Sequence, residues 1–379
     1  MEPTNAPRGV LRCFSTMDDP RTNQGKRHDL LDMIVIALCA VICGADGWAQ
    51  VEQFGQCKLK WFRTFLKLPH GIPSHDTFGR VFARLDPEQF ERCLLRWMGA
   101  LARHSQGRLV AIDGKTLRRS FDTAGKKAGI HMVSAWCRSN QMVLGQLATD
   151  AKSNEIKAVP KLLELLDLEG AIVTADALNC QKAIAKKVIA SQADYLLQVK
   201  GNQPTLHAEL ELLFEQGLRD DGQGVPYAYA EETTGGHGRI ETRRLWSTWD
   251  VDWFADRKKW KGLGSFICIE RDCQRDGTRS LERAYYISSL HGRDAASLLE
   301  WARGHWTIEN QLHWRLDVAF AEDDRRIRKG HAAEIYSRLC RIALNLLKAD
   351  TSVKLGIKGK RLTAGWDHDY LLKLITQET

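Results

Sequence analysis

Two stretches decide the fold: LVAIDG at residues 109–114 and AIVTAD at residues 171–176. Each is a short apolar run that ends in an aspartate or an aspartate and a glycine, which is typical of a buried β-strand followed by a turn. Because strand ends in α/β sheets form the crevice where ligands bind, we expect Asp113 and Asp176 to meet at one edge of a sheet. The structural alternative is that each aspartate only begins a turn or caps a helix.

The sequence around these two strands alternates between strand-like and helical patterns. Residues 130–137 and 142–148 predict two strands joined by a polar turn, which together with the first strand form an antiparallel meander. Residues 160–168 predict a helix that opens at Pro160, residues 181–191 a second helix, and residues 195–199 a fifth strand. An antiparallel trio joined to helix-covered parallel strands predicts an α/β fold of the ribonuclease-H-like type.

The flanking regions predict the domain organisation. We expect a helical N-terminal domain over residues 1–107 and the ribonuclease-H-like domain over residues 108–350. A Gly- and Trp-containing segment with strand-like runs predicts a β-rich insertion at about 205–290. Residues 351–379 predict a C-terminal tail with one short helix.

A third carboxylate is available on a helical segment between residues 301 and 324. Side chains four residues apart share one face of a helix, and one such polar face consists of His305, Glu309, His313 and Asp317. An apolar stripe beside it would pack on the sheet, so we expect Glu309 to point at the two aspartates. Three carboxylates suit hard divalent cations. Two alternatives stay open: a zinc site built from the two histidines, and a solvated helix face with paired charges.

Composition argues against a membrane protein and is compatible with a nucleic-acid partner. The 379-residue chain is 44% hydrophobic and 27% charged, with a net charge of +8. Its ten cysteines form no CxxC pair, which predicts free thiols in a reducing cytoplasm rather than disulfides or a structural zinc site. We find no secretory signal, and the most apolar stretch, residues 30–43, is too short to span a bilayer. We therefore expect a cytoplasmic protein.

The basic residues are concentrated in three clusters, which suits a phosphate backbone, although many basic runs are merely solvated surface. The clusters are Lys115, Arg118 and Arg119; then Arg239, Arg243 and Arg244; and finally Arg325, Arg326, Arg328 and Lys329.

Long motifs resemble the bacterial insertion-sequence transposases of the H-repeat-associated type. These motifs are AIDGKTLRRS (111–120), VTADALNCQ (173–181), DYLLQVKGNQP (194–204), YYISSL (285–290) and GHWTIENQLHWRLDVAFAEDDRRIR (304–328). The resemblance places the catalytic, metal-binding DDE triad of that family on Asp113, Asp176 and Glu309. The chain departs from the wider superfamily at two positions: His305 stands where an arginine is expected, and Leu316 where a lysine is expected.

The resemblance implies metal-dependent cleavage at insertion-sequence ends, followed by attack of the freed 3′-hydroxyl on target DNA. It implies two Mg²⁺ ions, with Mn²⁺ as a substitute, and no organic cofactor or covalent protein intermediate. Double-stranded DNA is the expected partner of a nucleoid-associated homodimer, with the N-terminal helices serving end recognition and synapsis. A domesticated DNA-binding protein without transposition activity and a two-metal nuclease are the competing hypotheses.

Basic and polar side chains near the triad are the expected DNA contacts, with Arg303, His305 or His313 replacing the missing positive charge. The expected contacts are Lys115, Arg118, Arg119, Lys200, Asn202, Gln203, Arg239, Arg303, His305, His313, Arg325, Arg326 and Arg328. For Trp306, packing in the core is favoured over stacking on an unpaired base.

Overall fold

The structure is a computed structural model that describes residues 9–22, 26–101, 108–121, 129–149, 154–219, 227–236 and 238–377. Six helices precede the first strand within this part of the chain. They are α1 (Val10–Phe14), α2 (Leu30–Ile42), α3 (Trp48–Cys57), α4 (Leu59–Phe62), α5 (His75–Phe82) and α6 (Pro87–Leu101). The N-terminal region is therefore helical where it is described.

The α/β region follows. Its elements are β1 (Leu109–Thr116), β2 (His131–Cys137), β3 (Met142–Thr149), α7 (Glu155–Glu164), β4 (Ile172–Ala175), α8 (Lys182–Ala190), β5 (Asp194–Val199), α9 (Pro204–Arg219), β6 (Ala228–Gly236), β7 (Arg239–Thr248), β8 (Ser265–Arg275) and β9 (Thr278–Ser288). The helices that close the chain are α10 (Ala295–His305), α11 (Trp314–Phe320), α12 (Ala332–Ala349), α13 (Ile357–Trp366) and α14 (His368–Thr376).

The described strands form one nine-stranded sheet in the order β3-β2-β1-β4-β5-β9-β8-β7-β6. The pairs β1–β2 and β2–β3 are antiparallel, which confirms the predicted meander. The pairs β1–β4 and β4–β5 are parallel, with α7 and α8 in the connections that parallel pairing requires. The mixed α/β architecture agrees with the sequence-based fold class.

The segment predicted as a β-rich insertion differs from that prediction in two ways. It opens with the 16-residue helix α9, and its strands continue the central sheet because β9 pairs antiparallel with β5. The strand-like runs in this segment correspond to β8 and β9. A local sequence pattern does not reveal that β9 pairs with β5 at the edge of the central sheet.

Helix α7 begins earlier than predicted. It starts at Glu155, so Pro160 lies inside the helix and not in its first turn. A second helix, α13, precedes the predicted C-terminal helix α14. The first difference matters for function because Glu155 becomes a buried first-turn residue behind the candidate site.

One continuous hydrophobic core joins the N-terminal helices to the sheet and to the C-terminal helices. Helix α2 is buried along nearly its whole length and packs against α12. Polar contacts cross the same junction: Tyr336 Oη donates to Ala45 O (2.7 Å), and Arg338 Nε donates to Glu91 Oε2 (2.8 Å). The core thus continues across the predicted boundary at residue 107.

The ten cysteines are unpaired, as predicted. Among the described helices, none is both long and apolar enough to cross a membrane.

Candidate active site

The parallel pairing of β1 and β4 brings Asp113 and Asp176 to the same edge of the sheet. The last paired residues are Ile112 and Ala175, and each aspartate is the next residue along the chain. Strand β1 itself continues beyond Asp113, which pairs with Ser134 of β2. Asp113 therefore lies where the parallel pairing ends and not where its own strand ends.

Asp113 is a carboxylate whose charged form is disfavoured. Its side chain is 24% exposed, and burial, together with the negative charges of Asp176 and Glu155, raises the pKa of Asp113 to about 6. The groups that oppose this shift are His313 and the backbone N–H of Gly114. Ionised Asp113 is therefore unfavourable in the folded protein unless a further positive charge joins it.

Glu309 reaches this edge from a π-helical turn. Helix α10 ends at His305, and a π-helical turn from Glu309 to His313 precedes α11, so the predicted polar stripe does not lie on one regular α-helix. Such turns are rare and frequently occur at functional sites. The buried Ile308, Leu312 and Leu316 confirm the predicted apolar stripe.

His313 links Glu309 to Asp113. Its Nδ1 lies 3.0 Å from Glu309 Oε2 and 3.6 Å from Asp113 Oδ2, and its side chain is only 5% exposed. The hydrogen bond to His313 lowers the pKa of Glu309. One ligand atom from each of these three residues lies within 4.8 Å of the others, which is close enough to share a metal ion.

The alternative zinc site made from both histidines is not supported. His305 Nδ1 lies 3.1 Å from Thr174 Oγ1, and burial lowers the pKa of His305 to about 4. In the described part of the chain, the group that could hold a metal ion consists of Asp113, Glu309 and His313 and contains neither His305 nor Asp176.

A buried hydrogen-bonded chain lies behind Asp176. Asp176 Oδ1 accepts from the backbone N–H of Asn179 (3.2 Å) and from Asn179 Nδ2 (3.0 Å). Asn179 Nδ2 also donates to Glu155 Oε1 (2.6 Å), and Glu155 Oε2 lies 2.8 Å from His131 Nε2. His131 Nδ1 then lies 2.9 Å from Thr116 Oγ1. The sequence pattern did not reveal this chain because it predicted that α7 starts at Pro160.

The absence of a side chain at Gly114 allows His131 and Glu155 of this hydrogen-bonded network to approach the backbone of β1. A Cβ at this position would overlap with His131 Nε2 and the Glu155 carboxylate. The glycine after Asp113 is therefore required by the close approach of two buried side chains.

Lys115 is an internal ion-pair partner and lies largely buried, at 10% side-chain exposure. It contacts Asp317 and lies 3.5 Å from Asp323 Oδ1 and 3.8 Å from Glu322 Oε2. Glu322 is also paired with the buried Arg341 (2.5 Å). Lys115 therefore neutralises carboxylates close to the site, and its predicted phosphate contact stays a prediction.

Several other predicted DNA contacts are also engaged within the fold. Arg325 is buried at 9% exposure, donates to Phe320 O (2.7 Å) and stacks on Tyr336.

Arg239 and Arg303 pair with Glu241 and Glu232, respectively. Asn202 and Gln203 donate to the backbone carbonyls of Ala177 and Cys180, beside the Asp176 turn. The contact of each of these residues with DNA stays a prediction.

Other predicted contacts lie at the surface: Lys200 and Arg326 are exposed, Arg118 and Arg119 are exposed beside Asp323 and Asp324, and Arg328 is partly exposed. Arg303 and Asn202 are exposed as well as paired. Arg328 Nε donates to Arg119 O (3.2 Å), so the two basic clusters adjoin each other.

Two tryptophans next to Glu309 are exposed, which corrects the prediction of core packing for Trp306. Trp306 is 64% exposed and Trp314 is 51% exposed, although large apolar side chains are usually buried. These indole rings are available for contacts outside the chain.

Comparisons with known proteins identify the family of this chain. Residues 104–346 match the transposase DDE domain family, and residues 11–98 match the family described as DDE_Tnp_1-associated. "Putative transposase YncI" of Escherichia coli O157:H7 is 40% identical, with 97% of this chain and 94% of the relative aligned. "H repeat-associated putative transposase YhhI" of Escherichia coli K12 is 38% identical, with 97% of both chains aligned.

A solved piggyBac transposase synaptic complex with hairpin DNA is a distant structural neighbour, with a TM-score of 0.44 and 9% identity over 98% of this chain and 78% of that chain. The sequence matches show the family, since the DDE domain family covers more than half of the chain and the relatives are 40% and 38% identical over 97% of it. The chain belongs to the DDE transposase family and is similar to its H repeat-associated members.

Proposed function

We propose that this protein is a DNA transposase that cleaves the ends of its insertion sequence and joins the freed 3′-hydroxyl to target DNA. The observation that carries the proposal is the position of Asp113: Asp176 follows the neighbouring parallel strand, and Glu309 and His313 offer ligand atoms within 4.8 Å of that of Asp113. Asp113 and Asp176 follow the last paired residues of β1 and β4, and Glu309 approaches Asp113 from the π-helical turn.

The donor set fits divalent metal ions, and Asp113, Asp176 and Glu309 are the residues that would hold two Mg²⁺ or Mn²⁺ ions. Carboxylate oxygens are the ligands that these hard cations prefer. Burial first, and then the negative charges of Asp176 and Glu155, raise the pKa of Asp113, and a bound cation would favour its ionised form. When bound, the ions supply Lewis-acid activation of the attacking oxygen and charge stabilisation at the leaving oxygen.

The protein's own residues orient the carboxylates and the DNA. Asn179 holds Asp176, and His313 holds Glu309 while lying beside Asp113. Lys115 neutralises the acidic cluster next to the site. Phosphate contacts by exposed Arg118 and Arg119 would fix the register of the duplex without reading its sequence.

The basic surface extends from the site to a cleft between the N-terminal helices and the start of α12. This cleft has a volume of about 620 Å³, and its polar lining consists of Gln50, His75, Arg80, Arg326, Arg328 and Lys329 together with the acidic Asp46 and Asp76. Since Arg328 contacts the backbone of Arg119, the cleft adjoins Arg118 and Arg119, which come shortly after Asp113 in the sequence. We infer that DNA runs from the carboxylates past these two arginines into the cleft. We further infer that the helical N-terminal region, residues 1–107, contributes to end recognition in a homodimer.

A cleavage and joining assay tests the proposed function. The substrate is labelled double-stranded DNA containing the sequences that flank the gene on both sides, with a scrambled duplex of equal length as its control. Wild-type protein and Asp176→Ala are incubated with Mg²⁺, with Mn²⁺ and with EDTA.

Metal-dependent cleavage and joined products from the wild type, both absent with Asp176→Ala, are the expected results. Cleavage without joined products would replace the transposase with a two-metal nuclease. Specific binding without metal-dependent cleavage would replace it with a DNA-binding protein that lacks transposition activity.

A further inference from the structure

We propose that Glu155 and Asn179 are positioning residues that fix the rotation of the Asp176 carboxylate in the metal site. The inference rests on the proposed function, because it assigns these residues a role toward the same metal ions. Neither residue belongs to the triad, and the sequence analysis singled out neither of them.

The contacts on Asp176 restrict its carboxylate directly. Two donors of Asn179, the backbone N–H and the side-chain Nδ2, approach the same oxygen, Oδ1. A carboxylate bound by one donor can rotate about that bond, whereas two donors from different directions define its plane. Hydrogen bonds to ligating carboxylates orient them for the metal, and losing such partners typically reduces metal affinity or activity by about 10- to 100-fold.

Glu155 in turn fixes Asn179. The Asn179 side chain is fully buried, and its amide is shared between the carboxylates of Asp176 and Glu155. Glu155 is only 2% exposed, and its other oxygen contacts His131, which is 1% exposed. A buried, connected network of this kind is rigid because each member would lose a partner if it moved.

The hydrogen-bonded network of Asn179, Glu155, His131 and Thr116 also links the two aspartates of the site. Its far end is Thr116, which lies on β1 beyond Asp113, and His131 is the first residue of β2. The network therefore joins the strand that carries Asp113 to the turn that carries Asp176. A change in Glu155 is expected to alter the relative placement of both carboxylates.

The test measures Mn²⁺ binding by electron paramagnetic resonance, which detects unbound Mn²⁺ and needs no DNA or turnover. The variants are Asn179→Ala, Glu155→Ala and Glu155→Gln in the full-length chain. The amide of Gln offers an acceptor to Asn179 and a donor to His131, so it retains the geometry without the charge.

A matched control is Asn345→Ala. Asn345 on α12 is likewise fully buried and is hydrogen-bonded to the backbone N–H and C=O of Val143 on β3. Thermal unfolding of every variant identifies those that are folded at the temperature of the titration. Asp176→Ala shows which part of the Mn²⁺ binding belongs to the proposed site.

We expect Asn179→Ala and Glu155→Ala to bind Mn²⁺ about 10- to 100-fold more weakly than the wild type. Glu155→Gln should recover most of the affinity, and Asn345→Ala should bind as the wild type does. Wild-type affinity in folded Asn179→Ala, or equal losses in Glu155→Gln and Glu155→Ala, would overturn the positioning role.

The two proposals fail in different ways. If wild-type protein and Asp176→Ala bind Mn²⁺ equally, the metal site itself is wrong and the proposed function fails. If Asp176→Ala loses binding but Asn179→Ala does not, only the positioning role is wrong.

Discussion

The strand side and the helix side of the candidate site are built differently. On the strand side, Asp176 is held by Asn179, which is fully buried and bonded to the nearly inaccessible Glu155. On the helix side, Glu309 has a 55% exposed side chain on a π-helical turn and is bonded to His313. The comparison indicates that Asp176 is oriented before metal and DNA bind, whereas the position of Glu309 depends on a more open segment.

The largest effect is expected from Asp113→Asn, which removes a strand-side carboxylate while retaining its shape. We expect DNA cleavage to fall by about a thousandfold, because several kcal/mol of transition-state stabilisation depend on the metal ligands. Single-turnover cleavage at saturating DNA measures this loss, and a variant that cleaves within about tenfold of the wild type would remove Asp113 from the site.

The same substitution is expected to stabilise the metal-free protein at neutral pH, by on the order of 1 to 3 kcal/mol. The folded-state pKa of Asp113 is raised to about 6, so ionisation costs stability as the pH rises from about 4 to about 6. Below that window the carboxyl is protonated in both the folded and the unfolded protein, and the advantage of the asparagine variant over the wild type should vanish. Urea unfolding in EDTA above and below this window checks the sign, and a variant that is destabilised at neutral pH would contradict it.

Gly114→Ala tests the rigidity of the strand side without altering any carboxylate. The added methyl group overlaps with His131 and Glu155, so the chain behind Asp176 must shift. We expect Mn²⁺ affinity to fall about 10- to 100-fold. The matched control is Gly356→Ala, since a Cβ at Gly356 meets open space and should change nothing. Unchanged Mn²⁺ affinity in Gly114→Ala would show that the network does not determine the site.

His313→Gln tests the helix side. Loss of the imidazole leaves Glu309 without the hydrogen bond that lowers its pKa, and we expect about tenfold weaker Mn²⁺ binding. His207→Gln, a substitution of a partly exposed histidine on α9, serves as the control. If His313→Gln weakens binding more than Asn179→Ala does, the helix side is the better organised half.

The smallest effect is expected for Trp306→Ala. If this exposed indole stacks on a DNA base, its loss weakens DNA binding by about 1 kcal/mol, or about fivefold, without lowering the unfolding temperature. Trp366→Ala removes a comparably exposed tryptophan from α13 and should leave DNA binding unchanged. Fluorescence anisotropy with labelled end DNA measures both variants, and equal affinities would assign Trp306 no DNA contact.

The strand side illustrates what sequence could predict. Short apolar runs before Asp113 and Asp176 identified two buried strands, and the pairing of Ile112 with Ala175 confirms that they are neighbours. The prediction of a first turn at Pro160 does not include Glu155, although Asn154 directly precedes it. An asparagine followed by an acidic residue is a helix-start signal that would have identified the earlier beginning.

The helix side depends on contacts that a local pattern does not contain. The π-helical turn at Glu309 interrupts a sequence whose four-residue spacing predicts a continuous α-helix. Lys115 and its partner Asp317 are 202 residues apart, so their pairing follows from tertiary packing. The same holds for the burial of Arg325 against Tyr336. Basic character alone therefore identifies candidate DNA contacts but not which of them face solvent.

The most direct test of the central claim is anomalous diffraction at the manganese edge from crystals grown with Mn²⁺. We predict anomalous density in contact with the carboxylates of Asp113, Asp176 and Glu309, and its loss in crystals of Asp176→Ala. Density at another location, or density that persists unchanged in Asp176→Ala, would contradict the assignment of these carboxylates as the metal site.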